Sequence, residues 1–198
     1  MEIENFWPLA VFAVVSTITP GGATTLATAS GANFGFRRSV PLMAGIAVGL
    51  ASMAASASAG LAGLLLARPS MQVAIKAIGS IYLLWLAWKI GRSGPPGLGA
   101  NLAKPMSFVA GAWMLWYNPK SWTMTIGAAA SFAGLVSGPT RLAILLGLTF
   151  GVAAAVSLSI WCMAGRLLAR LLRMDRQWRV LNAVLGIPLM VSIIPMWL

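Results

Sequence analysis

Histidine is missing from this 198-residue chain, cysteine occurs once, and there are only three acidic residues. Each shortage removes a class of chemistry. Without histidine there is no imidazole base, proton shuttle or metal ligand. Cys162 alone permits neither an internal disulfide nor a thiolate metal cluster. The acids are Glu2, Glu4 and Asp175, all outside the long apolar runs. A carboxylate proton relay through a bilayer, which needs ionisable groups at depth, therefore has no residues to use. Paired carboxylates for enzymic acid–base work are missing as well. Charged residues make up only 9% of the chain, against about a quarter in soluble domains. That is too little polar surface to coat a water-soluble core. The expectation is a protein that is not an enzyme and carries no cofactor or metal.

What the chain has instead is apolar length. Hydrophobic residues make up 59%, and a bilayer-spanning helix needs about 20 of them in succession. Six candidate spans follow, at 6–28, 40–67, 71–88, 106–136, 142–165 and 180–198. Strands of a membrane barrel would be shorter and would alternate apolar with polar residues; these runs do not. The fold class expected is an all-α integral membrane protein with six transmembrane helices, forming one membrane domain over 1–198. No basic residue precedes Arg37, so the first run reads as a retained helix rather than a secretory signal. Lys76, near the start of the third span, can snorkel to the interface.

The net charge is +11. In a soluble domain that would suggest nucleic acid, but here the basic residues sit between apolar runs, where anionic lipid headgroups are the expected partner. Arg37, Arg38, Lys89, Arg92, Lys104, Arg166, Arg170, Arg173, Arg176 and Arg179 fall on one side of a six-span layout, and Arg68 and Arg141 on the other. By the positive-inside rule the ten-residue side is cytoplasmic, which puts both termini outside. Arg166, Arg170 and Arg173 share one helical face, as expected for a helix extension meeting lipid phosphates.

The two halves of the chain echo one another. Thr19-Pro20-Gly21-Gly22 lies in the first span and Asn118-Pro119-Lys120-Ser121 in the fourth, with the prolines 99 residues apart. Gly45 and Gly49 in the second span match Gly147 and Gly151 in the fifth; this spacing allows close helix packing. Gly79 and Gly186 extend the pattern more weakly. Three spans per half would invert the second half relative to the first. The expected layout is a three-helix repeat over 1–90, a Gly/Pro-rich cytoplasmic linker over 91–104, and a second repeat over 105–198, with helices 1 and 4 broken at proline. Proline removes an N–H and clashes with the preceding turn. In lipid the freed carbonyls survive only against protein or a hydrated cavity. Lys120 is the one charge between Pro105 and Thr140, and an intramembrane charge is a functional candidate by default. The candidate substrate site comprises Ser16, Thr19, Pro20, Gly21, Gly22, Thr24, Asn118, Pro119 and Lys120. The glycines Gly45, Gly49, Gly147 and Gly151 are candidate packing positions within one chain, and a homodimer stays open.

At these residues the chain resembles the LysE/RhtB family of amino-acid exporters. The likeness covers nearly the whole sequence. It rests on Thr19-Pro20-Gly21, on Gly31, Gly35, Gly45 and Gly49, on the run from Ile78 to Leu86, and on Phe108-Val109-Ala110-Gly111 leading to Asn118-Pro119-Lys120. The resemblance implies six spans, a bacterial inner-membrane location, and efflux of amino acids or related metabolites, usually linked to the proton gradient. The family's Pro-Gly-Pro maps onto Pro20 and Gly21, with Gly22 in place of its second proline; the departure makes the turn more permissive and bears on substrate type. Its Asn-Pro-Lys maps onto Asn118, Pro119 and Lys120.

The expected function is export of a small molecule by alternating access between the repeats, with Lys120 holding a carboxylate. Any coupled proton would have to use Lys120, Tyr82, Tyr117, water or the substrate itself. The alternative is a transporter of a small inorganic ion.

Overall fold

The computed structural model describes residues 6–61, 105–171 and 174–191, with scattered positions between 70 and 92 and position 194. These residues are helical almost throughout, and no strand occurs among them. The described α-helices are α1 (Trp7–Ile18), α2 (Gly22–Ser56), α3 (Phe108–Trp116), α4 (Pro119–Ser131), α5 (Pro139–Leu171) and α6 (Asp175–Val191). A π-turn, Ala57–Leu61, continues α2, and a 3-10 turn, Ala133–Leu135, follows α4. The expected third span, with Lys76 and Gly79, and the expected linker lie largely outside the described residues.

Two helical stretches, Gly22–Gly60 and Pro139–Leu171, are long and apolar enough to cross a membrane. The longer surface argument comes from α5. Leu142, Leu146, Phe150, Ala154, Leu158 and Cys162 form its buried stripe, while Leu148, Val152, Val156, Ile160, Met163 and Leu167 form an exposed one. Both stripes are apolar. A helix that is hydrophobic all round belongs in lipid or in the middle of a large core, and here one stripe faces outward. The outer face of α1 is the same in kind: Trp7, Val11, Val14, Val15 and Ile18 are exposed.

α2 is two limbs rather than one rod. Gly35 has φ 74° and ψ 172°, a conformation that glycine reaches without Cβ strain. The hydroxyls of Ser30 and Ser39 are 2.7 Å apart, although nine residues of straight helix would separate them by about 13 Å. Chain polarity therefore reverses at Gly35. The pairing with α5 agrees. Going up α1, Phe12 stacks edge-on against Phe150 at 6.2 Å, and the carbonyls of Thr17 and Ile18 accept from Ser157 and Trp161, so α1 and α5 run parallel. On the second limb the order inverts: Gly147 faces Ala51 and Ala55, and Gly151 faces Ala51 and Ala47. The expected first and second spans, 6–28 and 40–67, leave 29–39 between them. The helix instead continues through it and turns at the single residue Gly35.

Glycine seams set how closely these helices approach. A Cβ on Gly45 would lie 2.0 Å from the Phe108 carbonyl oxygen, and one on Gly49 would lie 2.6 Å from that of Ala112. The second limb of α2 and α3 thus run parallel in near-backbone contact, which small residues permit. Gly31 and Gly165 make an equally close crossing, against Cys162 and Thr28. That crossing brings the Gly35 turn, with exposed Arg37 and Arg38, toward the end of α5 that carries Arg166 and Arg170.

Candidate functional site

Two helix ends and two helix starts meet at one place. α1 stops at Ile18, and Thr19 takes φ −59° and ψ 129°, the extended conformation forced on a residue before proline. α2 then begins after Gly21. Its first turn is closed by Thr24: the Gly21 N–H donates to Thr24 Oγ1 at 2.8 Å, and that hydroxyl donates to the Gly21 carbonyl at 2.9 Å. The reach of an N3 side chain back to the cap N–H is half of a capping box. α3 stops at Trp116, and α4 starts at Pro119 in the first helical position, where its missing N–H costs nothing. Asn118 is the N-cap, its Oδ1 accepting from the Lys120 N–H at 3.1 Å.

The carbonyls released at the end of α1 meet different fates. Val15 accepts from both the N–H and the hydroxyl of Thr19. Ser16 loses its helical partner because Pro20 has no N–H. Thr17 accepts from Ser157 Oγ at 2.8 Å, and Ile18 from Trp161 Nε1 at 3.1 Å. Lys120 Nζ donates to the Thr19 carbonyl at 3.2 Å and, at the edge of hydrogen-bonding range, to that of Pro20 at 3.5 Å. Gly21 is satisfied by Thr25 and Thr24. At the other junction Trp122 Nε1 donates to the Trp116 carbonyl at 2.9 Å. At each junction an indole N–H covers a carbonyl at a helix end, from buried Trp122 at one and partly buried Trp161 at the other.

Between these ends lies a cavity of about 40 Å³. It has room for a few waters, fewer atoms than any amino acid contains. Ser16, Thr19, Gly21, Gly22 and Thr24 line it from one side, and Asn118 and Lys120 from the other. Pro20 is exposed and contributes only its carbonyl, to Lys120; Pro119 contributes the start of α4. Thr24 and Asn118 are buried, and Lys120 is half-buried.

Reading the sequence missed several members. Thr17 and Ser121 also line the cavity, and Ile46, Leu50, Met124 and Leu158 form its apolar wall. Ser157 and Trp161 hold the frayed end of α1. A Ser and a Trp four residues apart in an apolar run were the one available hint, because each needs a polar partner when buried.

The cavity's electrostatics follow from helix direction. α2 and α4 point their N-termini at it, where partial positive charge resides, and α1 ends there with partial negative charge. Lys120 adds a full positive charge. The site can therefore hold an anionic group near Lys120 and the two helix starts, and a donor or cation against the carbonyls of α1.

Helices apolar on their outer faces, around a small cavity rimmed by polar helix ends, fit a membrane protein that handles a small solute. The model of the family described as LysE type translocator matches residues 14–192, and the chain belongs to that family. The cysteine/O-acetylserine efflux protein of Escherichia coli strain K12 is 30% identical over 192 residues, covering 93% of this chain and 92% of that protein. The protein of the same name from Klebsiella pneumoniae is 29% identical over 160 residues, 81% of each chain. No solved structure matches. The chain is a membrane exporter of small molecules and not an enzyme.

Proposed function

We propose that this protein exports small amino acids or related metabolites from the cytoplasm across a bacterial inner membrane, by alternating access between two inverted three-helix repeats. The observation that carries the reading is Lys120. Its ammonium crosses from the fourth expected span to the broken end of the first, inside a cavity that both line. A substrate carboxylate would be drawn to Lys120 and to the first turns of α2 and α4. Neutral side chains suit the apolar wall of Ile46, Leu50, Met124 and Leu158. The relatives' name, cysteine/O-acetylserine efflux protein, fits a substrate of that size.

Helix pairing supports the repeat, with 1–90 and 105–198 as its halves and 91–104 as the linker. α1 of the first half lies parallel to α5 of the second, and α3 of the second lies parallel to the later limb of α2. This reciprocal exchange is what a two-fold relation in the membrane plane would produce. Rocking one half against the other would part Lys120 from the Thr19–Pro20 turn and open the cavity, which is too small for substrate in the present state. The closeness of Arg37 and Arg38 to the Arg166 end of α5 supports a basic cytoplasmic face on anionic headgroups, with both termini outside. The acids lie at 2, 4 and 175, so a coupled proton would travel on Lys120, Tyr117, water or the substrate.

The test is efflux from vesicles containing the purified protein and preloaded with a panel of labelled amino acids. Selective release of small neutral amino acids is expected. Release of chloride or phosphate with no amino-acid release would move the reading to inorganic anions, which Lys120 and the two helix starts could also attract.

A further inference from the structure

We infer that the carbonyl oxygens of Thr19 and Pro20 are the subsite for the substrate's α-ammonium group, and that Lys120 vacates them when a zwitterion binds. The inference rests on the amino-acid reading above and adds which atoms hold which end of the substrate.

The first ground is an ammonium already seated there: Lys120 Nζ lies 3.2 Å from the Thr19 oxygen and 3.5 Å from the Pro20 oxygen. The site's geometry thus accepts an R–NH₃⁺ group. The second ground is the carbonyl inventory of the turn. Apart from Ser16, which Pro20 leaves without its helical donor, Val15, Thr17, Ile18 and Gly21 give their oxygens to donors built into the fold: Thr19, Ser157, Trp161 and Thr25. Thr19 and Pro20 give theirs to the tip of a long flexible side chain, which can leave without unmaking a helix. The third ground is charge. Among the described residues no carboxylate lines the cavity, and the chain's three acids stand at 2, 4 and 175. A substrate ammonium must therefore be held by neutral oxygens, and the negative end of α1 gathers them.

The exchange conserves charge. Before binding, the turn holds one ammonium, that of Lys120. Afterwards it holds the substrate's ammonium, and Lys120 pairs with the carboxylate two bonds away. The net charge of the site does not change. A monocationic amine lacking the carboxylate would instead set two like charges side by side, which a poorly solvated site disfavours. Removal of Lys120 should reverse that preference, because the carbonyls would then be free and unopposed.

The experiment measures competition against labelled cysteine in vesicles, using unlabelled cysteine, N-acetylcysteine (carboxylate without ammonium) and cysteine methyl ester (ammonium without carboxylate). With the unaltered protein, both derivatives should compete about tenfold or more weakly than cysteine, the usual scale for losing a charged hydrogen bond. Binding to purified Lys120→Met, followed by thermal shift, should show the methyl ester stabilising the protein and cysteine no longer preferred. N-acetylcysteine competing as well as cysteine with the unaltered protein would overturn the inference, whether or not Lys120→Met can be purified. So would a Lys120→Met protein that loses cysteine transport and still ignores the ester; in that outcome the carboxylate role of Lys120 stands and only the ammonium subsite fails. Unimpaired cysteine transport by Lys120→Met would instead remove the amino-acid reading of the site on which the inference rests.

Discussion

Replacing Gly45 by alanine adds a single methyl group, and the structure sets its cost. The new Cβ would lie 2.0 Å from the Phe108 carbonyl oxygen, 2.8 Å from its carbonyl carbon and 3.0 Å from its Cα. All three are backbone atoms, so no rotamer change relieves the clash. Ordinary contact begins near 3.4 Å, so the second limb of α2 and α3 must part by about 1.4 Å at this point. A gap of 0.5–1 Å already forfeits roughly a quarter to a half of a dispersion contact, and overpacking of this kind costs about 1–3 kcal/mol. Helix propensity works the other way, favouring alanine by about 1 kcal/mol. A fall in melting temperature is therefore a measure of packing alone. With roughly 2–4 °C per kcal/mol for a chain of this size, the detergent-purified variant should melt several degrees lower. Gly127→Ala in α4 is the control: nothing lies within 4 Å of its Cβ position, so it should melt at or above the parent temperature. Efflux should fall in Gly45→Ala beyond what stability explains, because α3 leads into Asn118 and Lys120, so parting α3 from α2 displaces one side of the cavity. A Gly45→Ala protein as stable as Gly127→Ala would refute the close seam between α2 and α3.

Other consequences are simpler. Trp161→Phe and Ser157→Ala each release one carbonyl at the end of α1 at about 1 kcal/mol; efflux should drop several-fold with membrane insertion unchanged, and the double variant should show non-additive loss because the two act on neighbouring carbonyls. Asn118→Ala removes an N-cap worth about 1 kcal/mol and should weaken both thermal stability and efflux; an unaffected variant would show that the start of α4 is held by other contacts. Reporter tags at either terminus should be reachable from outside the cell only, and labelling of both from the cytoplasm would invert the proposed orientation.

The helical class and membrane character were legible in the sequence because lipid demands long apolar runs, and composition records them directly. Part of the cavity lining at the two junctions was legible for a related reason, Thr17 and Ser121 excepted. Proline leaves a local mark on backbone geometry, seen in the extended Thr19 and in Pro119 opening α4, and Lys120 stands out in an uncharged stretch. Helix ends were less legible. The gap between the first two expected spans, 29–39, is helical on both sides of Gly35, since a polar and basic stretch can remain helical while one glycine with positive φ makes the turn. Ser157, Trp161 and the wall formed by Ile46, Leu50, Met124 and Leu158 were not legible, because their roles depend on which helices become neighbours. That depends on glycine seams such as Gly31 with Cys162 and Gly45 with Phe108, and a glycine's partner across space leaves no trace in the sequence around it.

The central claim is that the two junctions form one substrate site with Lys120 as its charged contact. The direct measurement is cysteine efflux from preloaded vesicles containing equal, quantified amounts of inserted parent protein or Lys120→Ala. The account predicts normal insertion with efflux reduced to the protein-free background. Efflux by Lys120→Ala at the parent rate would contradict it.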